Sequence, residues 1–446
     1  MSMIASDQEP TAARWRDLAR LALVAAASGL LTGVVGAGFR LSLLQAETSR
    51  TAFLGWARQW PVVGWVIPVT LAAILVAAAA WMVERFAPLA AGSGVQHVEA
   101  VMRGEAAPAP IAVLPVKFVG GVLAIGSGLA LGREGPTVQM GATIGARLAQ
   151  GSALDDASVR NIQSAAAGAG LAVAFNTPLG GVAFVFEELA RRFTTTLMVA
   201  SLAACATAVL VARAILGDSV DYVVTPPPEP TAAIVAACLL LGLLLGALGA
   251  AYNRAIILAL DRVAAFTTIP VPLRAAVVGG VVGCVAWFEP QLVGGGDPLI
   301  QAVFDTSLSL PALAVILVAR WLLGPFSYAA RTPGGLFAPL LVIGAVVGAL
   351  FAHLAQAALP GVALSPTMGA IVGMAAFFTA VVRAPFTGAL LVLGMTGTLT
   401  PALPVFAACV AATIVPAALG SAPIYDTLRE RMEHPSAPSS NQVSRS

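Results

Sequence analysis

Apolar runs recur along this chain, and glycine or proline interrupts many of them. Residues 21–38, 62–83, 193–212 and 232–248 are long and apolar enough to cross a bilayer, whereas 120–131, 312–319 and 340–352 are too short or interrupted. With 58% apolar and 10% charged residues and a mean hydropathy of +0.89, the sequence reads as a polytopic membrane protein, not a globular enzyme. Its 44 glycines and 30 prolines do not suit a bundle of straight spans. They suit an all-α fold with broken and re-entrant helices, which membranes tolerate only where protein buries them or a cavity is lined.

Within this apolar background stands Gly132-Arg133-Glu134-Gly135-Pro136, an adjacent pair of opposite charges bracketed by glycines. The flanks, residues 118–131 and 137–145, carry no other charge, which argues for an ion or proton site at membrane depth over a surface turn. A net charge of +2 gives no hint of a nucleic-acid partner. Arg14, Arg16 and Arg20 before the first span and Arg429 and Arg431 after the last place both termini in the cytoplasm by the positive-inside bias. Asp7, Glu9 and Asp17 precede the first span without a convincing cleavage site, so it is expected to be retained, with no signal peptide. Cys205, Cys238, Cys284 and Cys409 are scattered singly and read as small hydrophobes without disulfide or metal spacing.

The chain also echoes itself. Gly29, Gly33, Gly36 and Phe39 match the spacing of Gly242, Gly246, Gly249 and Tyr252, and Gly92-Ser93-Gly94 is echoed by Gly294-Gly295-Gly296. Gly132, Pro136, Gly141 and Gly145 correspond to Gly335, Pro339, Gly344 and Gly348; Pro178 and Gly181 correspond to Pro385 and Gly388. Four ordered blocks offset by roughly two hundred residues imply an internal duplication. The expected organisation is an N-terminal cytoplasmic segment (1–20), a first membrane repeat (21–216), a connection (217–231), a second repeat (232–420) and a C-terminal helix and tail (421–446).

Each block puts glycines and a proline at the start of an apolar helix, where unsatisfied N–H groups attract an anion without a fixed cation. Three such starts follow Gly92-Ser93-Gly94, Glu134-Gly135-Pro136 and Leu336-Phe337-Ala338-Pro339. Ser93 adds a hydroxyl that also suits an N-cap. An ionised Glu134 would take an anion's place and release it on protonation, making one residue gate and proton carrier. Arg133 follows as a neighbour rather than a partner, because adjacent residues seldom face each other on a helix. Glu187 reads as a solvated helix end with i,i+4 pairs to the arginines that follow, while the second repeat has Gly394 and Met395 where the first has Glu187 and Glu188. Lys117, within an apolar run, must either snorkel to the interface or tune an internal acid.

With these residues in hand, the chain resembles the CLC family of chloride channels and chloride/proton antiporters over about residues 29–425. The segment at 132–136 matches a family signature, as does Gly334-Gly335-Leu336-Phe337-Ala338-Pro339, and Gly92-Ser93-Gly94-Val95 resembles the start of the Gly-Ser-Gly-Ile-Pro motif. The resemblance implies two inverted-topology repeats and a homodimer with one anion pathway per subunit. It implies that Ser93, Tyr425 and the amides of Leu336 and Phe337 bind the anion. Glu134 falls at the external gating glutamate and Glu188 at the internal proton glutamate, with Glu99 and Lys117 flanking the proton route. Gly92, Gly94, Arg133, Gly135 and Pro136 support them. Gln96 and His97 depart from the motif's Pro and Glu, which leads to the expectation of a looser turn beside Ser93. The absence of regulatory domains before Ser446 fits a compact prokaryotic type.

The expectation is therefore a chloride/proton antiporter of the bacterial inner membrane, with chloride, protons and lipid as partners and no cofactor or metal. A passive voltage- or pH-gated chloride channel, or a relative preferring nitrate or fluoride, are the alternatives. Ser93 argues against nitrate and Glu188 against fluoride on the same resemblance. An intramembrane enzyme fares poorly: His97, His353 and His434 form no His-Glu-x-x-His pair, and no base serves a serine nucleophile. A cation-coupled transporter of organic solutes would expose a larger polar pocket.

Overall fold

The computed structural model describes residues 12–60, 62–152, 154–358 and 361–433. Asp7, Glu9, His434 and the chain ends at 1–11 and 434–446 lie outside them. The first half contains α1 (Ala12–Ala57), α2 (Val66–Phe86), α3 (Val95–Met102), α4 (Val113–Gly126), α5 (Glu134–Gln150), α6 (Asp156–Ala174), α7 (Pro178–Phe184) and α8 (Thr195–Leu216). The second contains α9 (Ala232–Ala264), α10 (Val271–Phe288), α11 (Asp297–Phe304), α12 (Leu310–Tyr328), α13 (Phe337–Ala358), α14 (Pro366–Val382), α15 (Pro385–Thr396) and α16 (Ala402–Ala418), followed by α17 (Ile424–Glu433). Residues 217–231 contribute no helix except the first-turn cap at Thr231, whose hydroxyl accepts from the Ile234 amide.

The order of long and short helices is the same in both halves, down to a 3-10 turn before each of the eight-residue helices α3 and α11. The matched glycines do matched work. On α1, a Cβ at Gly29 or Gly33 would strike the Ala204 or Ala208 backbone of α8; on α9, one at Gly242 or Gly246 would strike Ala408 or Ala412 of α16. Gly141 and Gly145 bring α5 against α6, and Gly344 and Gly348 bring α13 against α14 in the same way. Close backbone approach replaces the hydrophobic effect, which cannot drive helices together in lipid. The halves meet through α2 against α10, where Gly279 and Gly283 admit the α2 backbone, and through α7 against α15.

The α5–α6 and α13–α14 pairs form the interior. The apolar window of α13 is 72% buried against 33% for α1, so α13 runs through protein while α1 faces lipid. Leu23, Leu240, Val315 and Phe288 are exposed on the surrounding helices, as a bilayer-facing surface requires.

Several spans differ from the sequence expectation. Seven helices are long and apolar enough to cross a membrane among the described residues. They include α12 and α13, whose apolar runs at 312–319 and 340–352 read as too short. Arg320 interrupts the run on α12 only on paper, because its two buried terminal nitrogens donate to three backbone carbonyls and the helix continues through it. α10 was not foreseen at all: Pro270, Pro272 and Arg274 obscure its first turn. α1 extends over 46 residues, about 69 Å at 1.5 Å per residue, well beyond the ~30 Å hydrocarbon core and across the expected boundary at residue 20.

Candidate functional site

The loops before α3, α5 and α13 are stitched together by backbone. Gly132 N donates to Gly335 O (2.8 Å) and Gly335 N to Gly132 O (2.7 Å), one antiparallel bridge between the two halves. Gly92 N donates to Thr332 O (3.0 Å) and Gly334 N to Gly92 O (3.1 Å). Gly92 and Gly94 take φ of 63° and 84°, the left-handed region that glycine enters without strain, and Gly94 caps α3 in that conformation. The three helix starts thus converge as the sequence suggested.

Glu134, fully buried, turns its carboxylate away from its own helix. Oε1 accepts from Phe337 N at 2.7 Å, so an acid of the first half sits on the N-terminus of α13 in the second. Glycine at 132 and 335 makes room, since a Cβ at either place would overlap that carboxylate. Glu134 Oε2, Ser93 Oγ and Tyr425 Oη are all buried without a hydrogen-bond partner. The Ser93 and Tyr425 hydroxyls lie beside one another, with the Glu134 charge within electrostatic reach of Tyr425. Unpartnered polar atoms of this kind are few in a folded interior, and here three of them gather at one helix start. The Phe337 ring packs against four others: Phe378 (4.6 Å between centroids), Phe184 (5.7 Å), Tyr425 (5.8 Å) and Phe175 (6.3 Å). Burial at this helix start strengthens the pull of the α13 dipole on a negative charge. Leu336, fully buried, precedes Phe337 at the same helix start.

Gly135 and Pro136 form the first turn of α5, and Gly135 lies so close to Ser93 that a side chain there would strike its hydroxyl. Arg133 ignores Glu134: Nη1 pairs with Asp297 (2.7 Å), Nε donates to Ala174 O (2.9 Å), and Tyr222 Oη donates to the other Asp297 oxygen (2.8 Å). Asp297 and Tyr222 were missed. The signal was Asp297 directly after Gly294-Gly295-Gly296, at the first turn of a short helix.

Glu188 lies in a π turn, Val185–Leu189, closed by Ala190 N donating to Val185 O at 2.8 Å. Such turns are rare and cluster at functional sites. Its carboxyl is 2% exposed and sits beside that of the equally buried Glu99. Glu187 departs from expectation. Instead of pairing along its own helix, it accepts from Phe386 N (3.0 Å), Thr387 N (2.7 Å) and Thr387 Oγ1 (2.8 Å), capping α15 of the other half. The π turn rotates it across the interface to orphan amides that need an acceptor.

Lys117 neither snorkels nor meets a carboxylate. Fully buried, it donates to Ala90 O (3.0 Å) and Gly92 O (2.8 Å), fixing the turn that carries Ser93. The turn is not left loose by the missing proline: Ser93 N donates to Tyr328 Oη (3.3 Å), and Gln96 reaches the same hydroxyl. His97 is buried beside Lys117. Cys205, Cys238 and Cys409 are buried as small hydrophobes. Arg429 and Arg431, taken from sequence as topology signals, also make ion pairs, with Glu105 and Asp261.

A buried acid of one half seated on a helix N-terminus of the other, inside a duplicated bundle of apolar helices, places the chain among polytopic membrane proteins. Residues 75–417 match the family described as Voltage gated chloride channel, and the chain belongs to that family, the CLC proteins. It is 38% identical over 423 residues to the H(+)/Cl(-) exchange transporter ClcA of Vibrio parahaemolyticus, covering 92% of this chain and 89% of that one. The ClcA of Cronobacter sakazakii is 34% identical over 417 residues, covering 92% and 89%. Among solved structures, a slow cyanobacterial Cl-/H+ antiporter superposes with a TM-score of 0.88 at 33% identity, covering 93% of this chain and 98% of that one. A CLC-type fluoride/proton antiporter shares the fold with a TM-score of 0.77 at 21% identity, covering 92% and 98%.

Proposed function

We propose that this protein exchanges chloride for protons across the membrane. Chloride binds between the hydroxyls of Ser93 and Tyr425 and the amides of Leu336 and Phe337; Glu134 is the gate and outer proton acceptor, and Glu188 the inner one. The observation that carries this reading is the Glu134 carboxylate seated on the Phe337 amide, with the Tyr425 hydroxyl, which adjoins that of Ser93, in electrostatic reach. An anion arriving there must displace the carboxylate, and protonation, which removes its charge, makes displacement easy. Anion occupancy and proton uptake are thereby linked at one atom pair. The curated relatives named as exchange transporters, alignable over most of their length, support the same direction.

Further parts of the reading follow from the family: a homodimer with one pathway per subunit, an inner-membrane location and cytoplasmic termini. The repeat organisation is read as 21–216 and 232–420, joined by 217–231. Purified protein in liposomes under a chloride gradient, with both fluxes recorded, tests the central claim. Protons driven uphill, and reversed when the gradient is inverted, are the expected result. Chloride flux without proton movement identifies a passive channel instead. In Glu134→Gln, chloride continues to move while proton movement stops; proton pumping that persists removes Glu134 from the mechanism.

A further inference from the structure

Asp426 follows Tyr425 in the first turn of α17, and three arginines from three elements gather on it. Oδ2 accepts from both terminal nitrogens of Arg191 (3.2 Å each), just beyond the π turn. Oδ1 accepts from Arg103 Nη2 (3.0 Å) at the end of α3, and Arg429 Nη2 of α17 lies 3.6 Å from it. Arg191 has a second carboxylate within reach, Glu188 Oε2 at 3.7 Å. Its backbone is left-handed, with φ of 47°, a conformation that a non-glycine residue holds only when its surroundings impose it. Here the imposing contacts are the two carboxylates. The other charged groups of the cluster are Glu99 beside Glu188 and Glu105 on Arg429.

We propose that Asp426 is a positioning residue linking the proton side of the site to its anion side, through an Arg191 shared with Glu188. The proposal rests on the exchange reading above and supplies its missing connection. Through Arg103 and its own helix, Asp426 holds α3, which follows Ser93, against α17, which carries Tyr425. Ionised Glu188 draws Arg191 toward itself and away from Asp426. Protonated Glu188 releases Arg191 to Asp426 and tightens the first turn of α17 behind the Tyr425 hydroxyl. Chloride affinity therefore follows the protonation of Glu188, and by reciprocity chloride occupancy alters the affinity of Glu188 for its proton.

The test is chloride binding by isothermal calorimetry on the full chain in detergent, at acidic and at neutral pH, together with flux ratios in liposomes. Measured in a Glu134→Gln background, which removes the gate's own titration, chloride affinity changes with pH by about fivefold or more, and adding Asp426→Asn brings that change below about twofold. Arg191→Gln, which breaks the bridge from its other end, gives the same loss together with fewer protons moved per chloride. Asp261→Asn, which breaks the Arg431 pair farther along α17, leaves both readouts at parent values. A parent-like pH response in either Asp426→Asn or Arg191→Gln overturns the proposal, as does an Asp261→Asn variant that loses it equally. If the parent binds chloride with the pH response but moves no protons, the exchange reading fails and the bridge stands. A parent that binds no chloride sinks both.

Discussion

Lys117 on α4 and Arg320 on α12 occupy corresponding places in the two repeats, and both are buried cations without a carboxylate on their hydrogen-bonding atoms. Lys117 binds the carbonyls of Ala90 and Gly92; Arg320 binds those of Leu292, Gly294 and Gly295. Each fixes a glycine turn ahead of a short helix, one bearing Ser93 and the other leading to Asp297. There the likeness stops. The first repeat supplies Ser93, Glu134 and Glu188, while the second supplies the apolar helix start at Leu336–Phe337 and the ordinary turn at Gly394 and Met395. Duplication built the frame twice, and on the exchange reading the acids come from one copy while the helix start under Glu134 comes from the other.

That division can be broken deliberately. Glu188→Gln is expected to lower proton movement about a hundredfold with chloride flux retained, as removing a proton-transfer group does. Met395→Glu in that background does not restore it, because the second repeat lacks the π turn; both are read as proton uptake by liposomes. Gly335→Ala introduces a methyl where the Glu134 carboxylate rests, and we expect about 1–3 kcal/mol lower stability with weakened closure, read as faster acid-independent chloride efflux.

The matched cations sharpen the comparison. Arg320→Met leaves three carbonyls without a donor and is expected to cost about 2 kcal/mol after the relief of losing a buried charge; Lys117→Met orphans only Ala90 O, since Gly92 O keeps its bond from Gly334 N, and costs about 1 kcal/mol. Thermal unfolding in detergent ranks them, and an equal or reversed order would refute the counting. Smallest is Glu187→Gln. It keeps an acceptor for the α15 amides, so stability drops by less than about 1 kcal/mol and proton movement is unchanged in the same liposome assay.

The residues at the site were legible where spacing carried them. Glycines bracketing Arg133 and Glu134, and the repeated Gly-Pro helix starts, picked out the loops involved; that they meet is seen only in the fold. What stayed hidden depends on contacts between residues far apart in the chain. Glu187 caps a helix nearly two hundred positions away, and neighbouring arginines offered a nearer partner on paper. Arg320 looked like a break because burial with three carbonyls cannot be seen in a hydropathy run. Arg133 was placed beside Glu134 but its true partner, Asp297, belongs to the opposite repeat. The π turn has no composition of its own, so the rotation of Glu187 and Glu188 onto different faces was invisible.

The paired amides of Gly132 and Gly335 fasten the middle of the molecule at the level of the acid. Shearing the halves there would strip two such bonds where no water can replace them, at about 4–6 kcal/mol apiece in an apolar medium. Rocking of rigid halves is thereby discouraged, and the exchange proposed above confines motion to side chains and single turns: Glu134 at the gate, Arg191 and the start of α17 behind it. Side-chain hops are orders of magnitude faster than domain rotation, so on that reading the swing of Glu134 is not the slow step.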